Sequence, residues 1–226
     1  MDLKVPRLPQ SIVAEILMLS PFVQKNDSAL VFIEFQHEWL SEEGVLQKRL
    51  VIDKECFRKS VIQASKVLET ARSVGWNIAH AGLDLSDDRE FLLFGRGENK
   101  FGLRGAIPKV GTWDRVGSSF VEPFVPRDGE FVVKGRSGAS TLKNSTLDPF
   151  LRNNGINTIF LMGYATHICV ESTLREAHDL GYNAYIVVDA CAAFEKNQQN
   201  YVLENIVHHF GEKTDAQSLI MHMMGS

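Results

Sequence analysis

The chain has 226 residues, of which 44% are hydrophobic and 23% charged, a composition typical of a globular protein. We interpret residues 1–226 as a single domain with an N-terminal extension over 1–27, and we set 225–226 aside as a candidate cloning remnant. The formal net charge is −4, and Lys and Arg are dispersed, which argues against nucleic-acid binding. The three cysteines form no CxxC pair and no Cys/His metal spacing, so we expect reduced thiols in a cytoplasmic protein.

The longest early apolar stretch runs from Ile12 to Leu19. It is interrupted by Glu15 and lacks a small-residue cleavage site. It is also too short to span a bilayer. The sequence therefore predicts neither a signal peptide nor a membrane anchor.

Apolar runs that resemble strands alternate with helical patterns along the chain. The first run, 29–35, is almost entirely apolar, as expected of a strand buried on both faces. A helix follows over 53–75, with Asp53 as its N-cap and Gly75 as its stop. The remaining predicted elements, in chain order, are a strand over 76–81, a long loop over 82–129, strands over 130–134 and 158–162, a helix over 167–180, a strand over 184–188, a helix over 198–210 and a short sixth strand.

This alternation predicts βαβ units and a three-layer α/β/α fold with a mostly parallel sheet of five to six strands. In such a sheet the ligand lies at the carboxyl ends of the strands. The residues expected to face one another there are Glu34, Lys134, the segment 163–169 and Asp189. A carboxylate, an ammonium and a thiol at one edge would form a hydrolytic site.

Cys169 follows the fourth strand and lies in the first turn of the next predicted helix, with Thr166 as a candidate N-cap. Unpaired N–H groups and the helix dipole at that position favour the reactive thiolate. An inert core cysteine is an equally ordinary interpretation of this residue alone.

Lys134 and Glu34 also have ordinary alternatives. Lys134 ends the third strand and could simply leave the sheet for solvent. Glu34 lies between apolar neighbours, and a carboxylate there needs either a partner or an exposed strand edge. With a partner, it could remove the thiol proton and later pass it to a leaving group.

Four segments of the sequence resemble the isochorismatase-like cysteine hydrolases, a group that includes nicotinamidases, N-carbamoylsarcosine amidases and ureidoacrylate and biuret hydrolases. The most specific segment, Gly163-Tyr-Ala-Thr-His-Ile-Cys169-Val-Glu-Ser-Thr173, continues into Gly181-Tyr182 and Val187-Val-Asp189-Ala190. The other three are Leu30-Val-Phe-Ile-Glu34-Phe-Gln36, Gly111-Thr-Trp113 and Gly129-Glu-Phe-Val-Val-Lys134. The similarity covers approximately residues 28–210 in the same order.

The resemblance implies a Rossmann-like fold, a homo-oligomer (dimer or tetramer) and an acid–lysine–cysteine triad. Carried over by position, Glu34 is the general base, Lys134 its partner and Cys169 the nucleophile. The resemblance also implies a cis peptide bond between Tyr164 and Ala165 and an oxyanion hole made by the N–H groups of Ala165 and Cys169.

The same resemblance places an aromatic side chain, here Trp39, over the substrate. We include Gln36, Trp113 and Tyr164 with it as candidate pocket residues.

Two features depart from the family pattern. The family acid is normally aspartate, and the extra methylene of Glu34 moves the carboxylate by more than the ~0.5 Å tolerance of a preorganised site. The Asp-x-His metal motif of nicotinamidases does not match the segment His80-Ala-Gly-Leu-Asp84-Leu-Ser-Asp-Asp88. We therefore expect no catalytic metal and no cofactor, and we interpret His178, His208 and His209 as helix-surface residues.

The favoured function is hydrolysis of a small-molecule C–N bond through a Cys169 thioester, with a carbamoyl or ureido substrate as first choice. Vinyl-ether hydrolysis of isochorismate is the nearest alternative, and Cys169 disfavours it because the resemblance implies that this chemistry needs no cysteine. A degenerate member that binds a metabolite or partner without turnover is a second alternative, because Glu34 replaces aspartate. A flavodoxin-like nucleotide module is disfavoured, since no Gly-rich loop follows the first strand.

Overall fold

A parallel sheet of six strands, in the order β3-β2-β1-β4-β5-β6, forms the centre of the protein. The computed structural model describes residues 19, 23–98 and 101–225. The strands are β1 (Ser28–Ile33), β2 (Asn77–Ala81), β3 (Phe131–Val132), β4 (Thr158–Tyr164), β5 (Asn183–Ala192) and β6 (Glu212–Thr214). Every pairing between these strands is parallel. The predicted fold class and the sixth strand are confirmed.

Helices connect and cover the strands, giving the three-layer arrangement. They are α1 (His37–Leu40), α2 (Val45–Leu50), α3 (Lys54–Val74), α4 (Gly102–Val110), α5 (Leu147–Asn153), α6 (Glu171–Asp179), α7 (Lys196–Asn205), α8 (Val207–Phe210) and α9 (Ala216–Gly225). Helix α3 packs against β5 and α9. Helix α6 connects β4 to β5 and packs against β5. Three shorter turns are 3₁₀ turns at Lys25–Asp27 and Leu92–Gly97 and a π-helical turn at Thr166–Val170.

Strand β1 lies at the middle of the sheet because its side chains are apolar on both faces. All six of its residues are buried. It pairs with β2 on one side and β4 on the other, with Ile33 opposite Ala81 and Gly163. The carboxyl end of β1 is therefore in the interior, where β2 and β4 also end.

Helix α3 has the predicted boundaries. The Asp53 carboxylate accepts a hydrogen bond from the Cys56 N–H at 3.0 Å, and Gly75 ends the helix with a left-handed φ of 71°. Its buried face, which includes Phe57, Ala64 and Leu68, packs on the sheet.

The segment 82–129 differs from the prediction of one long loop. It contains α4 and the 3₁₀ turn at Leu92–Gly97. Glycines at both ends of α4 and Pro108 inside it mask the helical pattern in the sequence. The helix predicted over 198–210 is two helices, since it breaks at Ile206 between α7 and α8.

No helix among residues 23–98 and 101–225 is long and apolar enough to cross a membrane. The early stretch from Ile12 lies outside the described residues except for Leu19.

Candidate active site

Glu34 is the first residue beyond β1, and its backbone turns sharply there. Its φ is 57°, in the left-handed region that non-glycine residues seldom occupy. The Glu34 N–H donates to the Ala81 carbonyl at 2.9 Å, which fixes the turn at the end of β2. Residues held in such sparsely populated backbone conformations are typical of functional sites. The turn places a carboxylate that is 2% exposed at the carboxyl edge of the sheet.

Both oxygens of the Glu34 carboxylate have partners. The Trp39 indole Nε1 donates to Oε2 at 2.7 Å. The Arg136 guanidinium forms an ion pair with Oε1, with 2.5 Å between Nη1 and the oxygen. Glu34 is thus a buried carboxylate with a partner, as its apolar neighbours require.

Arg136 is fixed on its remaining sides by its own loop. Its Nε donates to the Gly138 carbonyl at 3.0 Å and its Nη2 to the Ala139 carbonyl at 2.7 Å. The residue is 6% exposed. Burial lowers the pKa of Arg136, but the charges of Glu34 and Cys169 raise it above its usual value overall, so the guanidinium stays cationic.

Lys134 is not the cation that contacts Glu34. Its side chain is exposed, and its charge acts on Asp84 in the loop after β2. The prediction that Lys134 pairs with Glu34 is wrong because β3 ends at Val132, two residues before Lys134. The chain then turns at Gly135, with φ 78°, and delivers Arg136 to the interior instead.

The sequence contains a weak signal that Arg136, rather than Lys134, could contact Glu34. Arg136 follows Lys134 by two residues, so both are candidates for the same position wherever the strand end is uncertain. The actual end of β3 depends on its pairing with β2, which is limited to two residue pairs. That pairing is a tertiary feature that the local pattern does not contain.

Cys169 lies in the π-helical turn Thr166–Val170 between β4 and α6 and is 6% exposed. Its sulfur lies close enough to both Glu34 and Arg136 for the two side chains to affect the pKa of the thiol. The structure therefore brings together Glu34, Cys169 and Arg136, of which the sequence predicted the first two.

The thiol of Cys169 is protonated at neutral pH in this environment. Burial raises its pKa well above the usual range, the negative charge of Glu34 raises it further, and Arg136 only partly opposes them. The expectation that this position favours the thiolate is wrong here: Cys169 does lie in the π-helical turn that leads into α6, but desolvation dominates. The predicted N-cap role of Thr166 is also wrong: its hydroxyl has no hydrogen-bond partner among the described residues.

The Tyr164–Ala165 peptide bond is cis, as the resemblance implies. Ala165 is fully buried between the end of β4 and the π-helical turn that carries Cys169. The role of the Ala165 and Cys169 N–H groups as oxyanion donors remains a prediction.

An aromatic cluster surrounds Trp39 beside Glu34. The Trp39 ring lies 5.9 Å from that of Trp113, 5.4 Å from Phe194 and 6.5 Å from Phe57, measured between centroids. The clearest function of Trp39 in this structure is to donate to Glu34, while Trp113 packs against its edge. Their contact with a substrate remains a prediction.

Gln36 and Tyr164 are used in internal contacts. The Gln36 amide donates to the carbonyls of Leu83 and Ser118 and accepts from the Leu83 N–H. The Tyr164 hydroxyl, fully buried, is 3.0 Å from that of Ser60. Both side chains fix neighbouring segments, so the structure gives no support to their predicted place in the pocket.

Asp189 does not join the site. It lies within β5, and its carboxylate accepts the Ala216 N–H at 2.8 Å at the start of α9. Its expected position at the shared crevice is therefore wrong, because β5 extends beyond Asp189 to Ala192.

The three histidines interpreted as surface residues are exposed, and they line a groove of about 580 Å³ with Asn157 and Asn183. These asparagines precede or begin β4 and β5, so the groove lies at the amino edge of the sheet, opposite Cys169. Within the described ranges, no group of three or more His, Cys, Asp or Glu side chains could hold a metal ion.

A thiol, a carboxylate and a guanidinium at the carboxyl edge of a parallel sheet define an α/β protein with a cysteine-centred site. The chain belongs to the isochorismatase domain family, whose model matches residues 28–218. It is 28% identical over 202 residues to the ureidoacrylate amidohydrolase RutB of Variovorax paradoxus, covering 82% of this chain and 77% of the relative. It is 30% identical over 176 residues to the uncharacterized isochorismatase family protein YwoC of Bacillus subtilis, covering 77% of this chain and 88% of that protein.

Solved structures share the fold. A cysteine hydrolase from Pseudomonas syringae pv. phaseolicola superposes with a TM-score of 0.78 at 22% identity, covering 92% of this chain and 97% of that one. N-carbamoylsarcosine amidase from Thermoplasma acidophilum superposes with a TM-score of 0.60 at 24% identity, covering 84% and 96%. At these identities the likeness concerns the fold alone. The family assignment makes the chain an isochorismatase-like hydrolase.

Proposed function

We propose that this protein hydrolyses a C–N bond of a small amide, carbamoyl or ureido compound through a thioester on Cys169. The observation that carries the proposal is that the Cys169 thiol is buried next to the Glu34–Arg136 ion pair at the carboxyl edge of the sheet. The sequence similarity to the ureidoacrylate amidohydrolase RutB supports the substrate class.

In the first half of the reaction, the Cys169 sulfur attacks the substrate carbonyl while its proton moves to Glu34. A tetrahedral oxyanion results, and the N–H groups of Ala165 and Cys169 are the donors proposed to hold it. Glu34 then passes the proton to the nitrogen of the breaking C–N bond. The amine leaves and a thioester remains on Cys169.

In the second half, Glu34 takes a proton from a water molecule that attacks the thioester carbonyl. The C–S bond breaks, and the sulfur regains a proton from Glu34. Because the thiol is protonated in the resting site, the reaction depends on a nearby base that acts during attack rather than on a preformed thiolate.

Arg136 neither donates nor accepts a proton in this scheme. A guanidinium does not deprotonate in proteins, and three of its nitrogens are already engaged. Its role is to hold the Glu34 carboxylate and to place positive charge beside the sulfur. Proton transfer is therefore confined to Glu34.

The test is ammonia or amine release from a panel of primary amides, N-carbamoyl compounds and ureido compounds. Cys169→Ala should abolish release from any substrate that the wild type cleaves. Cys191→Ala is the matched control, since Cys191 is also buried and its sulfur donates to the Leu161 carbonyl at 3.7 Å rather than facing Glu34 and Arg136. The proposal would be rejected if folded wild-type protein releases no ammonia or amine from any compound of the panel, or if Cys169→Ala is fully active.

One observation favours binding without turnover as a second candidate: the raised pKa of the Cys169 thiol. A protein of that kind would bind panel compounds in calorimetry but release no product. The same panel therefore distinguishes the two functions.

A further inference from the structure

Thr173 makes three contacts around one buried hydroxyl. Its Oγ1 donates to the carbonyl of Cys169 at 2.6 Å. The same oxygen accepts the backbone N–H of Thr141 at 3.0 Å and lies 3.2 Å from the Thr141 hydroxyl. Both threonines are fully buried.

The valence of the hydroxyl fixes the direction of each hydrogen bond. A threonine hydroxyl has one proton and two lone pairs. The proton of Thr173 is used on the Cys169 carbonyl, so the Thr141 hydroxyl must donate to Thr173. Every donor and acceptor site of the Thr173 hydroxyl is then occupied, which is the condition under which a buried polar group is well ordered.

These contacts join two segments of the active site that are far apart in sequence. Thr141 lies in the same loop as Arg136, which is fixed there on the carbonyls of Gly138 and Ala139. Thr173, in the first turn of α6, fixes the carbonyl of Cys169. A continuous set of contacts therefore runs from the guanidinium through its loop to the backbone of the thiol residue.

We propose that Thr173 is a positioning residue that couples the Arg136 loop to Cys169 and so sets the distance between the guanidinium and the sulfur. The inference rests on the proposed function for its catalytic consequence, but not for its effect on the thiol. The Thr173 hydroxyl is separated from the sulfur by the Cys169 backbone, and it acts through Arg136 rather than on a substrate.

Thr173→Val keeps the shape of the side chain and removes the hydroxyl, whereas Thr173→Ser keeps the hydroxyl and removes the methyl. Loss of one buried hydrogen bond of this kind corresponds to about tenfold in rate, so we expect kcat of Thr173→Val to fall about tenfold with KM nearly unchanged. Thr173→Ser should restore most of the rate.

The second readout is alkylation of Cys169 by iodoacetamide at pH 8, followed by peptide mass spectrometry. At a pH below the thiol pKa this rate is proportional to the thiolate fraction. Arg136 lowers the pKa of the thiol, so a displaced Arg136 loop should slow alkylation about tenfold for each unit of pKa gained. Thr158→Val is the matched control, because Thr158 is a buried threonine at the amino end of β4 whose hydroxyl donates to the adjacent Asn157 side chain at 2.8 Å.

Three results would overturn the inference: wild-type alkylation in Thr173→Val, a Thr173→Ser variant as slow as Thr173→Val, or an equal effect of Thr158→Val. If Thr173→Val does not fold, Thr141→Val replaces it. That variant keeps the backbone bond to Thr173, and it should slow alkylation in the same direction by a smaller factor; no change would contradict the coupling. If the wild type cleaves no substrate but the alkylation pattern holds, the proposed function fails and the coupling stands.

Discussion

The guanidinium of Arg136 makes contacts that a lysine ammonium could not reproduce together. It reaches two backbone carbonyls and the Glu34 carboxylate through three different nitrogens. The planar, branched group suits this geometry, whereas an ammonium is a compact point charge. The longer acid and the longer base at this site complement one another, so Glu34 in place of aspartate is compatible with a formed ion pair.

At this scale we expect Arg136→Lys to reduce kcat/KM by about ten- to a hundredfold, because it keeps the charge but loses the branched contacts. Lys134→Ala is the control, and it should stay within about twofold of wild type because surface charges contribute little. Steady-state kinetics on the best panel substrate measures both. If Lys134→Ala lowers kcat/KM and Arg136→Lys does not, Lys134 rather than Arg136 is the cation that the reaction needs.

Glu34→Gln should separate two properties of the site. The negative charge of Glu34 raises the pKa of the Cys169 thiol, so its removal should lower that pKa and speed iodoacetamide alkylation at pH 8. The same change removes the base, and hydrolysis should fall about a hundredfold or more. Glu38→Gln, a buried glutamate that accepts the Leu46 N–H at 2.7 Å, is the control. Parallel loss of alkylation and hydrolysis would show that Glu34 activates the thiol at rest.

The sequence was sufficient to place Glu34 and Cys169 but not Arg136. Glu34 is identified because an acid among apolar residues needs a partner, and Cys169 because a thiol follows a strand end in a specific motif. Arg136 depends on where β3 stops and how Gly135 turns the chain, both of which are set by tertiary contacts. The protonation of the thiol depends on burial, which the pattern around Cys169 does not reveal.

At the scale of elements, strand β4 can approach β1 beside the site because Gly163 has no side chain. A Cβ there would be 2.0 Å from the Ile33 carbonyl oxygen, immediately before Glu34. Gly163 also has a φ of 124°. The register of β4 against β5 shifts at the same place.

We expect Gly163→Ala to lower the free energy of unfolding by about 2–4 kcal/mol, since it combines backbone strain with a clash. Gly155→Ala is the matched control: its φ is 66°, but a Cβ there would meet nothing within 4 Å. It should cost only about 1 kcal/mol. Urea denaturation measures both free energies of unfolding. An equal loss of stability in the two variants would mean that the close approach of β1 is not the reason for glycine at position 163.

A buried set of hydrogen bonds centred on Glu130 holds the segment before β3 against helix α3 and strand β2. Glu130 accepts hydrogen bonds from Arg72 at 2.6 Å and 2.9 Å and lies 2.8 Å from Nε2 of His80. Although burial raises it, these contacts and the Arg127 N–H lower the pKa of Glu130 to about 2. Arg72 also donates to the carbonyls of Pro123 and Val125.

Glu130→Gln should therefore be less stable than wild type at pH 7, by roughly 2–3 kcal/mol in urea unfolding. A carboxylate with a lowered pKa stabilises the fold above its unfolded value of 4.5, and this contribution is lost as pH falls from there toward about 2. The difference between the two proteins should thus shrink below pH 4.5. A difference that stays constant down to pH 3 would contradict the electrostatic explanation.

At the scale of the whole molecule, the alternation of apolar runs with helical patterns predicted the layers and the parallel sheet. The rule that ligands bind at the carboxyl ends of parallel strands led us to expect Glu34 and Cys169 together, and the structure brings them together there without Asp189 and Lys134. That this edge is the active site remains a prediction. Segment 82–129 was the least predictable region, since its glycines and Pro108 hide α4. It exposes apolar side chains such as Leu92, Leu93 and Val116, and the expected homo-oligomer remains a prediction.

The central claim is that Cys169 carries the substrate during turnover, and acid quenching tests it most directly. The enzyme is mixed with the best substrate of the panel, quenched in acid within the first turnovers, digested and weighed by mass spectrometry. We expect an acyl or carbamoyl mass on the peptide that contains Cys169, absent from Cys169→Ala and unchanged in Cys191→Ala. Continued product formation by Cys169→Ala, or an adduct confined to Cys56 or Cys191, would contradict the claim.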